Sequence, residues 1–128
     1  MARILVVDDD TAVRTFVQRA LIYRGHEATT AADGRQALDA LTAGLNCDLV
    51  ISDIVMPDLD GIDLLGALAV RRPDLPVILM TAHTDQVRLS HAQPCELILK
   101  PFSLKEICAA ADRHAKTETA DCPAPPAT

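Results

Sequence analysis

Residues 4–10 read Ile-Leu-Val-Val-Asp-Asp-Asp, so an aliphatic run passes directly into three consecutive acids. An aliphatic run without alternation is typical of a strand that is buried on both faces, as in a parallel sheet. The acids would then lie at the carboxyl end of that strand. In open α/β sheets this end faces the crevice where ligands bind.

Three further segments repeat this pattern. Leu49–Asp53, Val77–Thr81 and Leu97–Lys100 each pass from aliphatic residues to a polar side chain: a carboxylate, a hydroxyl and an amine. Because parallel strands end at one edge of their sheet, we expect all of these polar groups to meet in one crevice.

Helical periodicity fills most of the intervening chain. Residues Asp10–Arg24 carry apolar side chains at helical spacing, and helices are also predicted from Asp33 to Gly44 and from Ile62 to Arg71. A weak strand is predicted at Glu27–Ala31. Ser103 begins the last helix, predicted to reach about Ala115, with an acid at its third position to complete a capping box.

The series of strand–helix units predicts an α/β fold. We expect a flavodoxin-like, doubly wound, five-stranded parallel sheet with strand order 2-1-3-4-5. Its switch point lies between the first and third strands, which end at Asp8, Asp9 and Asp53. The segment from Thr81 to Cys95 has a poor apolar face and contains a proline, which predicts a short or irregular fourth helix.

Composition limits the possible functions. A length of 128 residues and 49% hydrophobic content suit one packed domain. We place that domain at residues 1–116 and expect a disordered, Pro-rich tail at 117–128. The net charge of -6 argues against direct binding to nucleic acid or to an anionic membrane. The sequence shows neither a membrane span nor a signal-peptide layout, so a cytoplasmic protein is expected.

The cysteines and histidines show no pattern of a metal or redox site. The chain has four cysteines without CxxC spacing, and the three outside the tail (Cys47, Cys95 and Cys108) are predicted to be core residues. Three histidines (His26, His91 and His114) are predicted to lie on the surface without carboxylate partners.

The predicted crevice suits phosphoryl chemistry. Clustered carboxylates repel each other unless a cation joins them, and an oxygen-only ligand set favours Mg²⁺ over Zn²⁺. A lysine would add positive charge for a phosphoryl group, and a carboxylate can act as the nucleophile that forms an aspartyl-phosphate. The sequence has no glycine-rich motif for a nucleotide. Each element also has a simpler interpretation, since acids at a helix start stabilise the helix dipole.

The signature residues resemble those of a known family. Asp8-Asp9 follows the first strand, Asp53 begins the run Asp-Ile-Val-Met-Pro-Asp-Leu-Asp-Gly that ends at Gly61, Thr81-Ala82 follows the fourth strand, and Lys100-Pro101-Phe102 follows the fifth. In order, spacing and identity, residues 2 to about 115 resemble a response-regulator receiver domain of bacterial two-component signalling, of the stand-alone type.

The resemblance implies a role for each acid. Asp53 would accept the phosphoryl group and also bind Mg²⁺. Asp9 would bind Mg²⁺ directly and Asp8 would bind it through water, and the backbone carbonyl of Val55 would complete the protein ligands.

The remaining signature residues have implied roles as well. Lys100 would pair with the phosphoryl oxygens, and Thr81 would hydrogen-bond one of them on activation. The resemblance also implies a cis peptide between Lys100 and Pro101, and a backbone turn at Gly61 that a side chain would hinder.

Two features depart from the usual pattern of the family, and one further residue would adjust the switch. Leu97 stands where relatives often carry an aromatic ring that couples phosphorylation to output, although it can equally be ordinary strand packing. The connection from Thr81 to Lys100 is shorter than usual, which predicts an altered output face. His83 would flank the phosphoryl group and could position a water molecule or point to solvent.

The expected partners follow from the resemblance. A histidine kinase or a histidine phosphotransfer protein would supply the phosphoryl group. An unknown downstream protein would bind the face formed by the fourth helix, the fifth strand and the fifth helix. No enzymatic activity is expected beyond the chain's own Mg²⁺-dependent phosphorylation and dephosphorylation.

Three alternatives stay open from the sequence. The chain could be a receiver domain from a larger hybrid kinase or regulator, with the tail as a linker. It could be a phosphohydrolase of the haloacid-dehalogenase type with Asp8 as nucleophile, although Ala12 departs from that motif. It could also be a pseudo-receiver that binds partners without phosphate.

Overall fold

The computed structural model describes residues 2–56, 59–82 and 94–114. Within these ranges the elements are β1 (Arg3–Val7), α1 (Thr11–Tyr23), β2 (Glu27–Ala31), α2 (Gly34–Thr42), β3 (Leu49–Asp53), α3 (Gly61–Arg71), β4 (Val77–Thr81), β5 (Glu96–Leu99) and α4 (Leu104–His114). Helix α4 is the fifth helix of the sequence prediction. The predicted fourth helix and the predicted tail lie outside the described residues.

The five strands form one parallel sheet in the order β2-β1-β3-β4-β5, which confirms the predicted topology. The register pairs Val7 with Ser52, Asp53 with Met80 and Thr81 with Leu99. The carboxyl ends of β1, β3, β4 and β5 therefore lie level with each other, at one edge of the sheet.

The core consists of two layers, one on each face of the sheet. Alternate strand residues such as Leu5, Val50 and Leu79 pack with the inner faces of α2 and α3. The residues between them, such as Val6 and Ile51, pack with α1 and α4 on the opposite face. Because the central strands are buried on both sides, they need the uninterrupted aliphatic runs seen in the sequence.

Side-chain caps define where the helices begin. The Asp10 carboxylate accepts the Ala12 amide at 2.9 Å at the start of α1. Ser103 and Glu106 form the predicted reciprocal capping box at α4, with distances of 3.0 Å and 2.8 Å. These caps fix how each helix leaves the edge of the sheet that carries the acids.

Two of the histidine predictions are wrong. His26 Nε2 lies 3.0 Å from Asp112 Oδ1, and His114 Nε2 lies 2.8 Å from Glu96 Oε1. The sequence did not reveal the carboxylates of Asp112 and Glu96 as partners, because the fold brings them to the histidine rings from distant parts of the chain. His91 lies outside the described residues.

One cysteine prediction is also wrong. Cys47 and Cys108 are buried as expected, but Cys95 is exposed. Cys95 directly precedes β5, which is an edge strand of the sheet, so it lies outside the double-layered core.

No helix among the described residues is long and apolar enough to cross a membrane.

Candidate functional site

The polar residues predicted to share a crevice do lie together at the carboxyl edge of the sheet. Asp8 and Asp9 follow β1, Asp53 and Thr81 are the last residues of β3 and β4, and Lys100 follows β5. Asp8 and Thr81 are fully buried, whereas Asp9 is exposed to solvent. The site is thus open on the side of Asp9 and closed beneath Asp8.

Lys100 connects two of the acids. Its Nζ lies 3.1 Å from Asp53 Oδ1 and 3.3 Å from Asp8 Oδ2. Its backbone amide donates to the Thr81 carbonyl at 2.7 Å, which ties the end of β5 to the end of β4. The peptide between Lys100 and Pro101 is cis, as predicted.

Three carboxylates form a compact group that could hold a metal ion. Asp8, Asp9 and Asp53 each offer a carboxylate oxygen, and these oxygens lie within 4.8 Å of one another. Such a set of hard oxygen donors, open to water on one side, is what Mg²⁺ prefers in proteins. The residues present therefore fit this ion.

Burial and mutual repulsion disfavour the ionised forms of the two buried acids, Asp8 and Asp53. Burial raises the pKa of Asp8, despite the Asp10 amide and Lys100, which act to lower it. Burial, followed by the charge of Asp8, raises the pKa of Asp53. Burial alone would lower the pKa of Lys100, but Asp53 and then Asp8 outweigh it and raise that pKa. Both carboxyl pKa values are raised even though Lys100 contacts both groups, so a divalent cation would relieve this repulsion.

Arg14 supports the first acid and was not singled out from the sequence. Its Nη1 donates to the Asp8 backbone carbonyl at 2.7 Å, and its Nη2 lies 3.3 Å from the Thr11 hydroxyl. The Asp10 amide donates to Asp8 Oδ1 at 2.9 Å. Sequence spacing places Arg14 one turn into α1 but does not distinguish this contact from a solvated arginine.

The segment that follows β3 is closely packed at Gly61. A Cβ atom at this position would lie 2.3 Å from the Asp53 carbonyl oxygen, and the Gly61 amide donates to the Ile54 carbonyl at 2.8 Å. Glycine is therefore required here by the close approach of two backbone segments. Val55, in the same segment, is an exposed residue.

Two other residues were predicted from the sequence to act near this group, Leu97 and His83. Leu97 is half-buried on β5 and packs against the core layer beneath α2 and α3, in agreement with the strand-packing interpretation. His83 lies outside the described residues, so its position relative to Asp53 stays a prediction.

The family model described as the response regulator receiver domain matches residues 4–112. The chain belongs to the receiver domain family. The match includes every acid of the site, the buried threonine and the lysine.

Similar curated proteins are response regulators. This receiver domain is 41% identical over 111 residues to the DNA-binding transcriptional regulator NtrC of Klebsiella pneumoniae, covering 84% of this chain and 24% of NtrC. It is 41% identical over 110 residues to the response regulator MprA of Mycolicibacterium vanbaalenii, covering 84% of this chain and 47% of MprA. The chain thus spans less than half the length of each of these relatives.

Solved structures agree with the fold. A response regulator receiver domain protein from Clostridium thermocellum superposes with a TM-score of 0.81 at 28% identity, covering 90% of this chain and 94% of the other. The response regulator protein TrrA from Thermotoga maritima, in complex with Mg²⁺ and BeF, superposes with a TM-score of 0.79 at 34% identity, covering 88% and 98%.

Proposed function

We propose that this receiver domain is a phosphorylation-dependent signalling switch that accepts a phosphoryl group on Asp53 with the help of Mg²⁺. The observation that carries the proposal is the position of Lys100 Nζ, 3.1 Å from Asp53 and 3.3 Å from Asp8, beside a third carboxylate at Asp9. A lysine and a group of carboxylates that can hold a metal ion, both next to Asp53, would provide positive charge where a phosphoryl group carries its negative charge.

Asp53 is a better acceptor than Asp8. The Asp8 side chain is fully buried, its Oδ1 accepts the Asp10 amide, and its Oδ2 lies beside Lys100. The Asp53 side chain keeps 11% exposure, so a phosphoryl donor can approach it from solvent. This difference favours the switch over a phosphohydrolase that would use Asp8 as its nucleophile.

The chemical step is a direct transfer. A carboxylate oxygen of Asp53 forms a bond to phosphorus while the bond between phosphorus and the donor's leaving group breaks, and the leaving group takes the electron pair. Lys100 stays protonated and contacts oxygens of the transferred group. Asp8, Asp9, Asp53 and the Val55 carbonyl would hold Mg²⁺, which when bound supplies further positive charge to those oxygens.

Thr81 would serve as the sensor of this switch. It is fully buried at the end of β4, and Lys100 is bonded to its backbone carbonyl. A change in the position of Lys100 on phosphorylation would therefore pull on the hydrogen bond to Thr81 and act directly on the end of β4. The same contact connects the site to β5 and Leu97, on the face proposed to bind the downstream partner.

The partners and context are part of the proposal. A histidine kinase or phosphotransfer protein would be the donor, in the cytoplasm, and the signal would pass by protein–protein contact without direct binding of nucleic acid by this domain. We propose no turnover of other substrates. A second possibility is that this chain works as the receiver domain of a longer regulator, because it covers only 24% and 47% of NtrC and MprA.

Acetyl phosphate tests the proposal without a kinase. Incubation with Mg²⁺ should add one phosphoryl group to the wild-type chain, detected by intact mass. Peptide mapping should place this group on Asp53. EDTA should abolish the modification, and Asp53→Asn should remove it while Asp58→Asn, a substitution in the same segment, serves as the control.

Two results would contradict this function. Modification that persists in Asp53→Asn and maps to Asp8 would favour the phosphohydrolase. A wild-type chain that takes up neither phosphate nor beryllofluoride in the presence of Mg²⁺ would favour a pseudo-receiver.

A further inference from the structure

Arg14 holds the peptide unit that joins two neighbouring acids of the carboxylate group (Asp8, Asp9 and Asp53). Its Nη1 donates to the Asp8 backbone carbonyl at 2.7 Å. Because a peptide unit is planar, a carbonyl held in one direction also fixes the plane of the Asp9 amide and the direction in which the Asp9 backbone continues. The guanidinium therefore sets how Asp8 and Asp9, whose oxygens lie within 4.8 Å of each other, are placed relative to one another.

The arginine is itself anchored on a fixed element. Its Nη2 lies 3.3 Å from the Thr11 hydroxyl, and its backbone amide donates to the Asp10 carbonyl at 3.0 Å in the first turn of α1. The Asp10 side chain caps the same turn. Arg14 is half-buried, and Val17 in the next turn is fully buried in the core. The guanidinium thus reaches the Asp8 carbonyl from a capped and packed helix.

Arg14 acts on the backbone and not on a carboxylate. Both oxygens of the Asp8 side chain have other partners, since Oδ1 accepts the Asp10 amide at 2.9 Å and Oδ2 lies 3.3 Å from Lys100 Nζ. These contacts and full burial fix the Asp8 side chain. Asp9 is exposed, so packing does not hold its carboxylate, and the direction of its backbone decides where that carboxylate can reach. The effect of Arg14 therefore falls mainly on Asp9.

We propose that Arg14 is a positioning residue for the Mg²⁺ site: by holding the peptide unit between Asp8 and Asp9, it keeps the Asp9 carboxylate within reach of an ion bound by Asp8 and Asp53. This inference rests on the proposed function, since it concerns the metal that the carboxylate group would bind. It assigns to a residue of α1 a role that acts through another residue's backbone.

Mg²⁺ affinity is the direct test, measured with MgCl₂ by calorimetry and by amide NMR on the full chain. Arg14→Met keeps the aliphatic stem but removes both donors. It should weaken Mg²⁺ binding by about tenfold, an effect typical of losing a group that orients a metal ligand. Arg19→Met is the matched control, because Arg19 is an exposed arginine of the same helix and its loss changes the net charge equally. Its Mg²⁺ affinity should stay near that of the wild type.

The sign of the effect separates positioning from charge. Arg14 is a cation near the site of another cation, so its removal would strengthen Mg²⁺ binding if it acted only through electrostatic repulsion. Positioning predicts the opposite change. Titrations well below the unfolding temperature of each variant exclude a purely structural role, which leaves the dissociation constant of the folded protein unchanged.

A double-mutant cycle tests whether Arg14 acts through Asp9. In an Asp9→Asn background the ligand that Arg14 positions is already lost, so Arg14→Met should weaken Mg²⁺ binding far less than it does in the wild type. A tenfold loss that persists in this background would overturn the proposal. If Arg14→Met does not fold, Arg14→Gln replaces it, because the polar glutamine side chain ends two atoms short of the guanidinium nitrogens and loses the same bond.

The outcomes distinguish this inference from the proposed function. If the wild type binds Mg²⁺ and the folded Arg14 variant binds it equally well or more tightly, the positioning role is rejected and the proposed function stands. Equal weakening in Arg14→Met and Arg19→Met also rejects it. If the wild type itself binds no Mg²⁺, the proposed function fails and this inference fails with it. Weaker binding in Arg14→Met alone, absent in the Asp9→Asn background, supports it.

Discussion

Substitution of Lys100 by methionine removes the ammonium from between two acids and leaves the side chain about as long. At an effective dielectric constant of 20, the attraction of Nζ to Asp53 at 3.1 Å and to Asp8 at 3.3 Å is about 5 kcal/mol for each pair. Desolvation offsets most of this energy. Removal of one partner from a buried pair costs about 3–5 kcal/mol, because a charge is left uncompensated.

We expect Lys100→Met to lower the free energy of unfolding by about 3 kcal/mol in the absence of Mg²⁺, at the low end of that range. The reason for the low end is that Asp53 keeps 11% exposure, so water can partly replace the lysine. Urea unfolding in EDTA at neutral pH measures the difference. Asp53→Asn removes one of the repelling carboxylates, so Lys100→Met should cost clearly less in that background.

Two conditions should shrink the cost of Lys100→Met. Saturating Mg²⁺ would supply the missing positive charge. Acid would protonate Asp8 and Asp53, whose pKa values are already raised by burial, so the repulsion disappears as the pH falls through those pKa values. A cost below about 1 kcal/mol at neutral pH, or one that Asp53→Asn leaves unchanged, would refute the charge-pairing argument.

Three further predictions concern metal, pH and capping. Mg²⁺ at a hundred times its dissociation constant should stabilise the wild type by about 2.7 kcal/mol in urea unfolding, and Asp9→Asn should lose most of this gain. Burial opposes ionisation of Glu96, but Arg113 and His114 outweigh it and lower its pKa. The stability that Glu96 adds, about 0.2–1 kcal/mol, is therefore present at neutral pH and lost as the pH falls through that lowered pKa. Glu96→Gln should be less stable than the wild type at neutral pH and equal to it in acid; an equal difference at both pH values would contradict this pairing. Asp33→Ala should cost about 1 kcal/mol through loss of the α2 cap, measured by thermal unfolding, and no loss would show that the cap is replaceable.

The strand pattern was predictable because a strand that is buried on both faces needs apolar side chains at nearly every position. Leu49–Asp53 and Val77–Thr81 are buried along their whole length, and their polar side chains (Ser52, Asp53 and Thr81) stand within the last two residues of each strand. The order of the strands then follows from right-handed crossovers and the number of units. The meeting of Asp8, Asp53 and Lys100 is a consequence of that topology.

Several contacts between side chains or backbones of different segments were not predictable in the same way. Arg14 bonded to the Asp8 carbonyl, Gly34 against the Leu59 carbonyl and His26 beside Asp112 all join segments whose separation in the chain carries no periodic signal. A glycine at the first position of a helix has several local explanations. Its role becomes visible only when the approaching backbone is known.

The sequence by itself determined the number and order of the strands, the starts of the helices and the identity of the polar groups at their common edge, because these depend on local propensity and on patterns of burial within a few residues. Only the tertiary structure decided that Asp8 is fully buried while Asp53 keeps an open side, that Lys100 lies within 3.3 Å of both, and that the Gly34 backbone lies against the Leu59 carbonyl. Burial and charge pairing depend on distances between segments that are remote in the chain, and those distances exist only in the packed fold.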